Sequence, residues 1–204
     1  MRAAVLHAPG LPPSYGEHPA TADGPGTTMV RVTAAPIVPL DLLCASGESY
    51  FGVPATPYVP GGQGVGVVES SESFQPGTRV WFFATAGMQP GDGSLAETCV
   101  VPDGDIVPLE AGVPDELAAA VGLSGVAAWM ALAWRARLQP GERVLVLGGS
   151  GAVGQVGIGA ARVLGAESVV AVTRPASVER AHTAGADVVV PLAGEVDAVT
   201  EALA

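Results

Sequence analysis

The chain has 204 residues, of which 49% are hydrophobic, and its 20 acidic residues against 9 basic ones give a net charge of −11. This composition suffices for a substantial core, whereas the absence of a basic stripe argues against nucleic acid as a partner. Cys44 and Cys99 are too few for a disulfide framework, and residues 1–10 lack the apolar run of a signal peptide, so a cytoplasmic protein is expected.

Short apolar segments separated by Pro-Gly and Gly-rich turns occupy residues 1–113. Strands at this spacing predict a small β-barrel or sandwich. One or two helical turns are expected over residues 39–46, ended by Gly47. The candidate strands are residues 3–7, 29–34, 64–69, 79–84 and 96–101.

Residues 117–134 carry no charge, and a run of 18 is borderline for a membrane span. The run is rich in alanine and is interrupted by Gly122, which favours two short buried helices of a soluble protein. Pro114 suits the first turn of the first helix, and Ser124 is placed to cap the second. Residues 114–139 are therefore expected to form a helical bridge.

Strand and helix patterns alternate over residues 140–204, which predicts a βαβαβ unit with a parallel sheet and right-handed crossovers. The expected elements are residues 144–147, 152–164, 169–172, 177–184 and 188–190. A dinucleotide-binding fold places two such halves in the strand order 3-2-1-4-5-6, and only the first half is present here. The chain is therefore expected to be a fragment of a longer product or to depend on a partner that completes the sheet.

A glycine cluster stands between the first strand of this unit and its first helix. Gly149, Gly151 and Gly154 have the G-x-G-x-x-G spacing of a dinucleotide site. In such a site the first glycine permits the sharp turn, the second permits close approach of a pyrophosphate, and the third permits close helix packing. The helix that begins near Ala152 directs its free N–H groups at the phosphates. The expected cofactor-binding residues here are Gly149, Ser150, Gly151, Ala152, Val153 and Gly154.

The end of the second strand of this unit indicates which dinucleotide binds. An NAD site places Asp or Glu there to accept hydrogen bonds from the ribose hydroxyls, whereas this chain has Thr173 and Arg174. A hydroxyl and a guanidinium can bind a 2′-phosphate, which favours NADP(H) over NAD(H). The alternative is that Arg174 is only a solvated turn residue.

Several segments together resemble the medium-chain dehydrogenase/reductase superfamily, in particular its zinc-independent quinone oxidoreductase-like group. They are VRVTAAPIVPLDLLCASG, YVPGGQGVGVVE, PGTRVWFF, GSLAETCVVP, LSGVAAWMAL and the glycine cluster. The resemblance implies an N-terminal GroES-like β-barrel followed by a Rossmann domain, with proteins that extend well beyond residue 204. It also implies possible dimerisation of the full-length protein.

The departures from the zinc-dependent relatives concern the metal site. At the positions of their zinc ligands this chain has Val38, Gly62 and Gln63, and the four cysteines of their structural zinc lobe are absent. The three histidines are expected at the surface or in turns. No metal is therefore expected. The zinc-free relatives often carry asparagine at Val38 and threonine near Ala127, so two polar contacts of those relatives are missing here.

The resemblance implies an NADPH-dependent reductase that transfers hydride to a quinone or an α,β-unsaturated carbonyl, a small electrophilic substrate. Tyr50 matches a tyrosine near the active cleft of similar enzymes and is the candidate catalytic residue, although it could equally pack a loop. Ser124 could touch the nicotinamide instead of capping its helix. Two alternatives remain: an enoyl reductase acting on thioesters, and a non-catalytic fragment with only a partial nucleotide site.

Overall fold

The computed structural model describes residues 1–192. The chain divides into two compact units, Met1–Gly122 and Leu123–Ala204. The first unit is built mainly from antiparallel strands and the second from parallel strands and helices.

Besides a short 3-10 helix, Asp103–Asp105, the first unit contains seven strands and one complete α-helix. In chain order they are β1 (Arg2–Val5), β2 (Ser14–Glu17), β3 (Thr27–Ala34), α1 (Pro39–Ser46), β4 (Gln63–Ser71), β5 (Arg79–Phe83), β6 (Thr98–Pro102) and β7 (Ile106–Pro108). A two-stranded sheet pairs β1 with β2, and a five-stranded antiparallel sheet has the order β6-β3-β4-β5-β7. All five predicted strands are confirmed, and β2 and β7 were not predicted.

The core of the five-stranded sheet consists of side chains that alternate along its strands. In β5, Val80 and Phe82 are fully buried while their neighbours are half-buried, as expected for a strand with one face on the core. The buried residues of this core are Val30, Val68, Val80, Phe82, Ala84, Cys99, Val101 and Ile106. The burial of these apolar side chains stabilises this sheet.

The helix α1 has its predicted bounds because both ends carry a specific signal. Pro39 occupies the first turn, where its missing N–H is not needed. The Asp41 carboxylate accepts a hydrogen bond from the Val38 N–H at 2.8 Å. Gly47 adopts the left-handed conformation, with φ 79°, and ends the helix as predicted.

The segment after β7 forms α2 (Asp115–Trp129), followed by a π-helical stretch, Met130–Ala136. Gly122 is non-helical, with φ 22° and ψ −123°, so two helices meet there as predicted. A Cβ at Gly122 would lie 2.0 Å from the Gln63 Oε1 atom, which explains why a glycine occupies the kink. Ser124 lies inside the second helix, so the prediction that it caps that helix is wrong.

The prediction that these helices are buried is also wrong for the residues described. Leu117 is 53% exposed and Trp134 is 61% exposed, whereas the small residues Ala119 and Ala128 are buried. Apolar composition alone did not determine burial, because the large side chains do not face the described cores. Within residues 1–192, Asp115–Ala136 is one stretch of 22 residues with mean hydropathy 1.7, long and apolar enough by those measures to cross a membrane.

The second unit continues with a parallel three-stranded sheet. Its elements are β8 (Arg143–Leu147), α3 (Ala152–Val163), β9 (Ser168–Thr173), α4 (Val178–Thr183) and β10 (Val188–Pro191), with a short 3-10 turn, Pro175–Ser177, before α4. The strand order is β10-β9-β8, and Val170 of β9 pairs with Leu145 on one side and Val188 on the other. The predicted βαβαβ unit is confirmed, and its order is the 3-2-1 half of a dinucleotide fold.

One face of this sheet packs against α3 and α4. Among the described strands, β8 lies at one edge of the sheet. The buried core of the unit consists of Ile158, Ala161, Val169, Ala171, Ala181 and Ala186. Val144 and Val146 pack against it, while Leu145 and Leu147 on the opposite face are exposed. The second face of β8 is therefore uncovered among the described residues.

Asp187 ties the start of β10 to its neighbours. Its carboxylate accepts hydrogen bonds from the Val169 N–H at 2.7 Å and from the Arg162 guanidinium. The hydrogen bond from Val169 and then that from Arg162 lower the pKa of Asp187 below its usual value. Because the folded-state pKa is lowered, this contribution to stability is present at neutral pH and is lost as the pH falls through that pKa.

We therefore expect Asp187→Asn to lower the melting temperature at neutral pH, with a difference from the wild type that shrinks as the pH falls. Circular dichroism melts over a pH series measure this. Glu167→Gln is the matched control, because Glu167 is exposed and its carboxylate has no hydrogen bond among the described residues. A deficit for Asp187→Asn that is the same at every pH would contradict this role of the charge.

Candidate nucleotide-binding site

The turn between β8 and α3, residues 148–151, is called the glycine loop here. The motif predicted the sharp turn at Gly149. The structure places it at Gly148, which has the left-handed φ of 77°. A Cβ at Gly149 would lie 2.7 Å from the Ala171 Cβ atom, so Gly149 is required for close approach to β9. The motif assigned the sharp turn to its first glycine, and only the backbone geometry places the turn one residue earlier.

The helix α3 begins directly at this loop. Gly151 is its N-cap residue, and its N–H donates to the Gly148 carbonyl at 2.9 Å. The first helical hydrogen bond runs from the Gln155 N–H to the Gly151 carbonyl, also at 2.9 Å. The amides of Ala152, Val153 and Gly154 therefore precede the first internal hydrogen bond and have no acceptor within the helix. Such amides, at the positive end of the helix dipole, form a site for phosphate.

Gly154 keeps these amides close to the loop. A Cβ at Gly154 would lie 2.3 Å from the Gly148 carbonyl oxygen and 2.8 Å from the Gly149 Cα atom. Both atoms belong to the backbone and cannot move aside cheaply. By contrast, a Cβ at Gly151 would meet only the Gly148 oxygen, at 3.4 Å, so the space in front of Gly151 is open.

The end of β9 is hydrogen-bonded to the glycine loop. The Val172 carbonyl accepts from the Gly148 N–H at 2.9 Å and from the Gly149 N–H at 3.0 Å. The Thr173 hydroxyl donates to the Ser150 hydroxyl, and both side chains are buried. These contacts bring together the two groups of residues that the sequence had predicted separately.

Arg174 follows Thr173 at the surface. Its side chain is exposed and has no ion pair among the described residues. A cavity of about 420 Å³ lies against this end of the sheet, lined by Leu147, Gly148, Ser150, Gly151, Val172, Thr173, Arg174 and Leu192. Arg174 is the sole charged residue of this lining, so the cavity suits an anion.

Gln155 belongs to this site but was missed by the sequence reasoning. Its side-chain amide donates to the Ser150 carbonyl at 3.0 Å, which supports the loop from the first turn of α3. The signal was its position one residue after the last glycine of the motif, from which a side chain can reach back to the loop. Leu147 and Val172, the last apolar residues before each turn, were predicted only as strand residues.

The positions that correspond to zinc ligands in the zinc-dependent relatives lie in the first unit. Asp41 brings two of them together, because its carboxylate accepts from the Val38 N–H and from the Gly62 N–H, both at 2.8 Å. Gln63 is buried, and its Oε1 atom accepts from the Trp81 indole at 3.2 Å. Within residues 1–192, no group of three or more His, Cys, Asp or Glu side chains could hold a metal ion.

The histidines and cysteines have structural surroundings. His7 and His182 are exposed as predicted, but His18 is largely buried and its Nε2 atom lies 3.0 Å from the Asp92 carboxylate. His18 lies in the irregular segment directly after β2, which agrees with the expectation of a surface or turn residue, and this pairing compensates for the partial burial of its ring. Burial raises the pKa of the Cys99 thiol to about 12, so this thiol stays protonated at neutral pH.

Comparisons with known proteins agree with this architecture. Residues 24–111 match the family model of the alcohol dehydrogenase GroES-like domain. The quinone oxidoreductase of Mus musculus is 35% identical over 130 residues, which are 62% of this chain and 38% of that protein. A probable oxidoreductase from Mycobacterium abscessus has a TM-score of 0.85 and 33% identity, and the match covers 95% of this chain and 62% of that one.

A further solved structure is the quinone oxidoreductase of Thermus thermophilus, which was also determined in complex with NADPH. It has a TM-score of 0.77 and 33% identity, and the match covers 93% of this chain and 59% of that one. The chain is therefore similar to the medium-chain dehydrogenase/reductase superfamily. Within this superfamily its similarity is to quinone oxidoreductases.

The superfamily's architecture confirms the predicted fold class, a GroES-like domain followed by a Rossmann-type parallel sheet. The chain spans well under half of the mouse relative and about 60% of the solved relatives. Tyr50 lies after α1 in the GroES-like domain and is 80% exposed, with its ring centroid 4.3 Å from that of Phe51. Its proposed role at the substrate stays a prediction.

Substitution of Gly154 tests the close approach of α3 to the loop. Gly154→Ala should lower the free energy of unfolding by roughly 2 kcal/mol, because its Cβ overlaps backbone atoms, and should weaken NADPH binding. Gly159→Ala in the same helix is the matched control. Its Cβ meets no atom within 4 Å, so it should stabilise the helix by up to about 1 kcal/mol.

Chemical denaturation and fluorescence titration measure the two effects. Equal stability and equal NADPH affinity for the Gly154 and Gly159 variants would contradict the proposed geometry.

Proposed function

We propose that this chain carries the coenzyme site of a zinc-independent, NADPH-dependent oxidoreductase that reduces quinones or α,β-unsaturated carbonyls. The observation that carries the proposal is the set of free amides at the start of α3, near Arg174, an exposed arginine directly after β9 that has no ion pair within residues 1–192. The similarity to quinone oxidoreductases supports the same reaction class. We also propose a soluble, cytoplasmic protein that forms a homodimer when complete.

The residues of the site fit an adenine dinucleotide. The amides of Ala152, Val153 and Gly154 would hold the diphosphate, and the glycines leave the main chain open to it. Thr173 stands where an NAD site carries a carboxylate, and Arg174 would contact a 2′-phosphate. The complex of the Thermus thermophilus relative with NADPH supports this choice of cofactor.

The charge distribution supports the same choice. Six of the nine arginines lie beyond Gly122, although the whole chain is strongly acidic. Residues 123–192 contain these six arginines and only four acidic residues. An acidic protein that binds a polyanion needs such local compensation, because the mean field of the chain would otherwise repel the ligand.

Arg174→Ala should therefore weaken NADPH binding by roughly 10- to 100-fold and leave NADH binding unchanged, because it removes a charge-assisted hydrogen bond to the 2′-phosphate. Arg180→Ala, on the exposed face of α4, is the matched control and should change neither affinity. Fluorescence titration with both coenzymes measures the effect. If Arg174→Ala lowers the affinities for NADPH and NADH equally, Arg174 does not determine the specificity for NADPH.

The acceptor would be an electrophile that needs no Lewis acid. When bound, the coenzyme supplies a hydride, so the acceptor gains two electrons and then takes a proton. The chain's part is to hold the diphosphate at the glycine loop and, through Tyr50, to donate a hydrogen bond to the acceptor's carbonyl oxygen. The exposed ring of Tyr50 is free for such a contact.

Tyr50→Phe should lower kcat/KM for a small quinone by roughly three- to tenfold, because it deletes one neutral hydrogen bond to the carbonyl oxygen. Tyr15→Phe is the control, since Tyr15 is also exposed but lies on β2. Steady-state kinetics with the complete gene product measure both variants. An unchanged kcat/KM for Tyr50→Phe would leave Tyr50 as a packing residue of its loop.

The main test combines binding and turnover. NADPH binding with turnover of a small quinone supports the proposal, and turnover of an enoyl thioester instead would identify the enoyl reductase alternative. Binding without turnover in the complete gene product would favour the non-catalytic alternative. Binding of neither NADPH nor NADH would overturn the assignment of the site.

A further inference from the structure

We propose that the hydroxyl pair of Thr173 and Ser150 is a positioning device that fixes the spacing between the diphosphate subsite and the 2′-phosphate subsite. The inference rests on the proposed function and concerns the same cavity. Neither residue is assigned a direct contact with the reacting atoms. Their role is to act through Arg174 and through the amides of α3.

The pair lies between the two subsites. Thr173 immediately precedes Arg174, and Ser150 precedes Gly151, the N-cap residue of α3. The Thr173 hydroxyl donates to the Ser150 hydroxyl. It is the sole side-chain hydrogen bond between β9 and the glycine loop among residues 1–192.

The burial of the two hydroxyls explains why they form a hydrogen bond with each other. Thr173 is 4% exposed and Ser150 is 9% exposed, so each hydroxyl lies away from bulk solvent. A buried hydroxyl without a partner would cost free energy, and here the partner is supplied by the other element. The Thr173 carbonyl also accepts from the Leu192 N–H at 2.7 Å, which fixes the backbone of the same residue.

The backbone hydrogen bonds from β9 reach only the start of the loop, and the hydroxyl pair adds an attachment to β9 further along it. The Val172 carbonyl holds Gly148 and Gly149, at the start of the loop. It does not hold Ser150 or the beginning of α3, where the free amides lie. The hydroxyl pair is one residue further along both segments, so it fixes the part of the loop that leads into the helix.

The affinity for NADP depends on the distance between the diphosphate subsite and the 2′-phosphate subsite. The 2′-phosphate and the 5′-diphosphate of NADP are joined through one ribose, so their separation is limited by covalent geometry. A protein binds both groups well only if its two subsites have the matching separation, and groups held in place before binding lose less entropy. The affinity of a ligand with a 5′-phosphate alone does not depend on the separation of the two subsites.

Two nucleotides test the proposal directly by calorimetry on the complete chain. Adenosine 2′,5′-bisphosphate occupies both subsites, and 5′-AMP occupies one. Thr173→Val keeps the side-chain shape and deletes the hydroxyl, and Ser150→Ala deletes its partner. Each variant should lower the affinity for adenosine 2′,5′-bisphosphate by roughly three- to tenfold and change that for 5′-AMP by less than about twofold.

The double variant and a conservative variant separate positioning from a general structural role. Thr173→Val with Ser150→Ala should bind no worse than either single variant, because both remove the same interaction. Thr173→Ser, which keeps the hydroxyl, should restore the wild-type ratio of the two affinities. Should Thr173→Val fail to fold, Ser150→Ala and Thr173→Ser still decide the outcome.

Equal losses for both nucleotides, additive losses in the double variant, or no loss would overturn the positioning role while leaving the NADP site intact. A wild-type protein that does not prefer adenosine 2′,5′-bisphosphate to 5′-AMP would instead overturn the proposed cofactor, and this inference with it.

Discussion

The attachment of the glycine loop to the end of β9 is the interaction on which the candidate site depends. One carbonyl, that of Val172, accepts the amides of both Gly148 and Gly149. These two hydrogen bonds orient the loop so that α3 begins beside the strand that ends in Thr173 and Arg174. Together with the hydroxyl pair of Thr173 and Ser150, they place the start of α3 and Arg174 at the same cavity, where a single ligand can contact both.

The close approach of three backbone segments explains why glycines occupy this turn. Gly149 is pressed against Ala171, and Gly154 is pressed against the loop backbone, so neither position has room for a side chain. Gly148 is required for a different reason, its positive φ. The segment from Gly148 to Gly154 thus combines one conformational requirement with two steric ones. The small side chain of Ala171 completes this packing from the β9 side.

The two units of the chain differ in their charge composition. Residues 1–122 carry most of the acidic side chains, and the described part of the second unit carries an excess of arginine. In the first unit the buried carboxylate of Asp41 is bonded to backbone amides near the positions that hold zinc in zinc-dependent relatives. Phosphate binding is therefore supported by the second unit, through a helix N-terminus and one exposed arginine.

The sequence predicted the elements whose signals are local. The bounds of α1 followed from Pro39 and Gly47, and β8, α3 and β9 followed from an apolar run, a glycine cluster and a second apolar run. The strands β2 and β7 were missed because one is polar and exposed and the other has three residues. They form by pairing with other strands, β2 with β1 and β7 with β5, which leaves little trace in their own residues.

The candidate site was predicted by residue but not by role. Thr173 and Ser150 were expected as separate cofactor contacts, yet their hydroxyls bind each other. The turn was assigned to Gly149, the first glycine of the motif, whereas the positive φ belongs to Gly148, one residue before it. The burial predicted for the two helices of residues 117–134 was wrong, because composition does not specify which surface a helix faces.

The most direct test of the account is amide hydrogen exchange of the chain with and without NADPH. We expect the coenzyme to protect the amides of Ala152, Val153 and Gly154 strongly, and those of the antiparallel sheet in the first unit little. Protection that spares the start of α3 while NADPH is bound would contradict the assignment of the glycine loop as the diphosphate site.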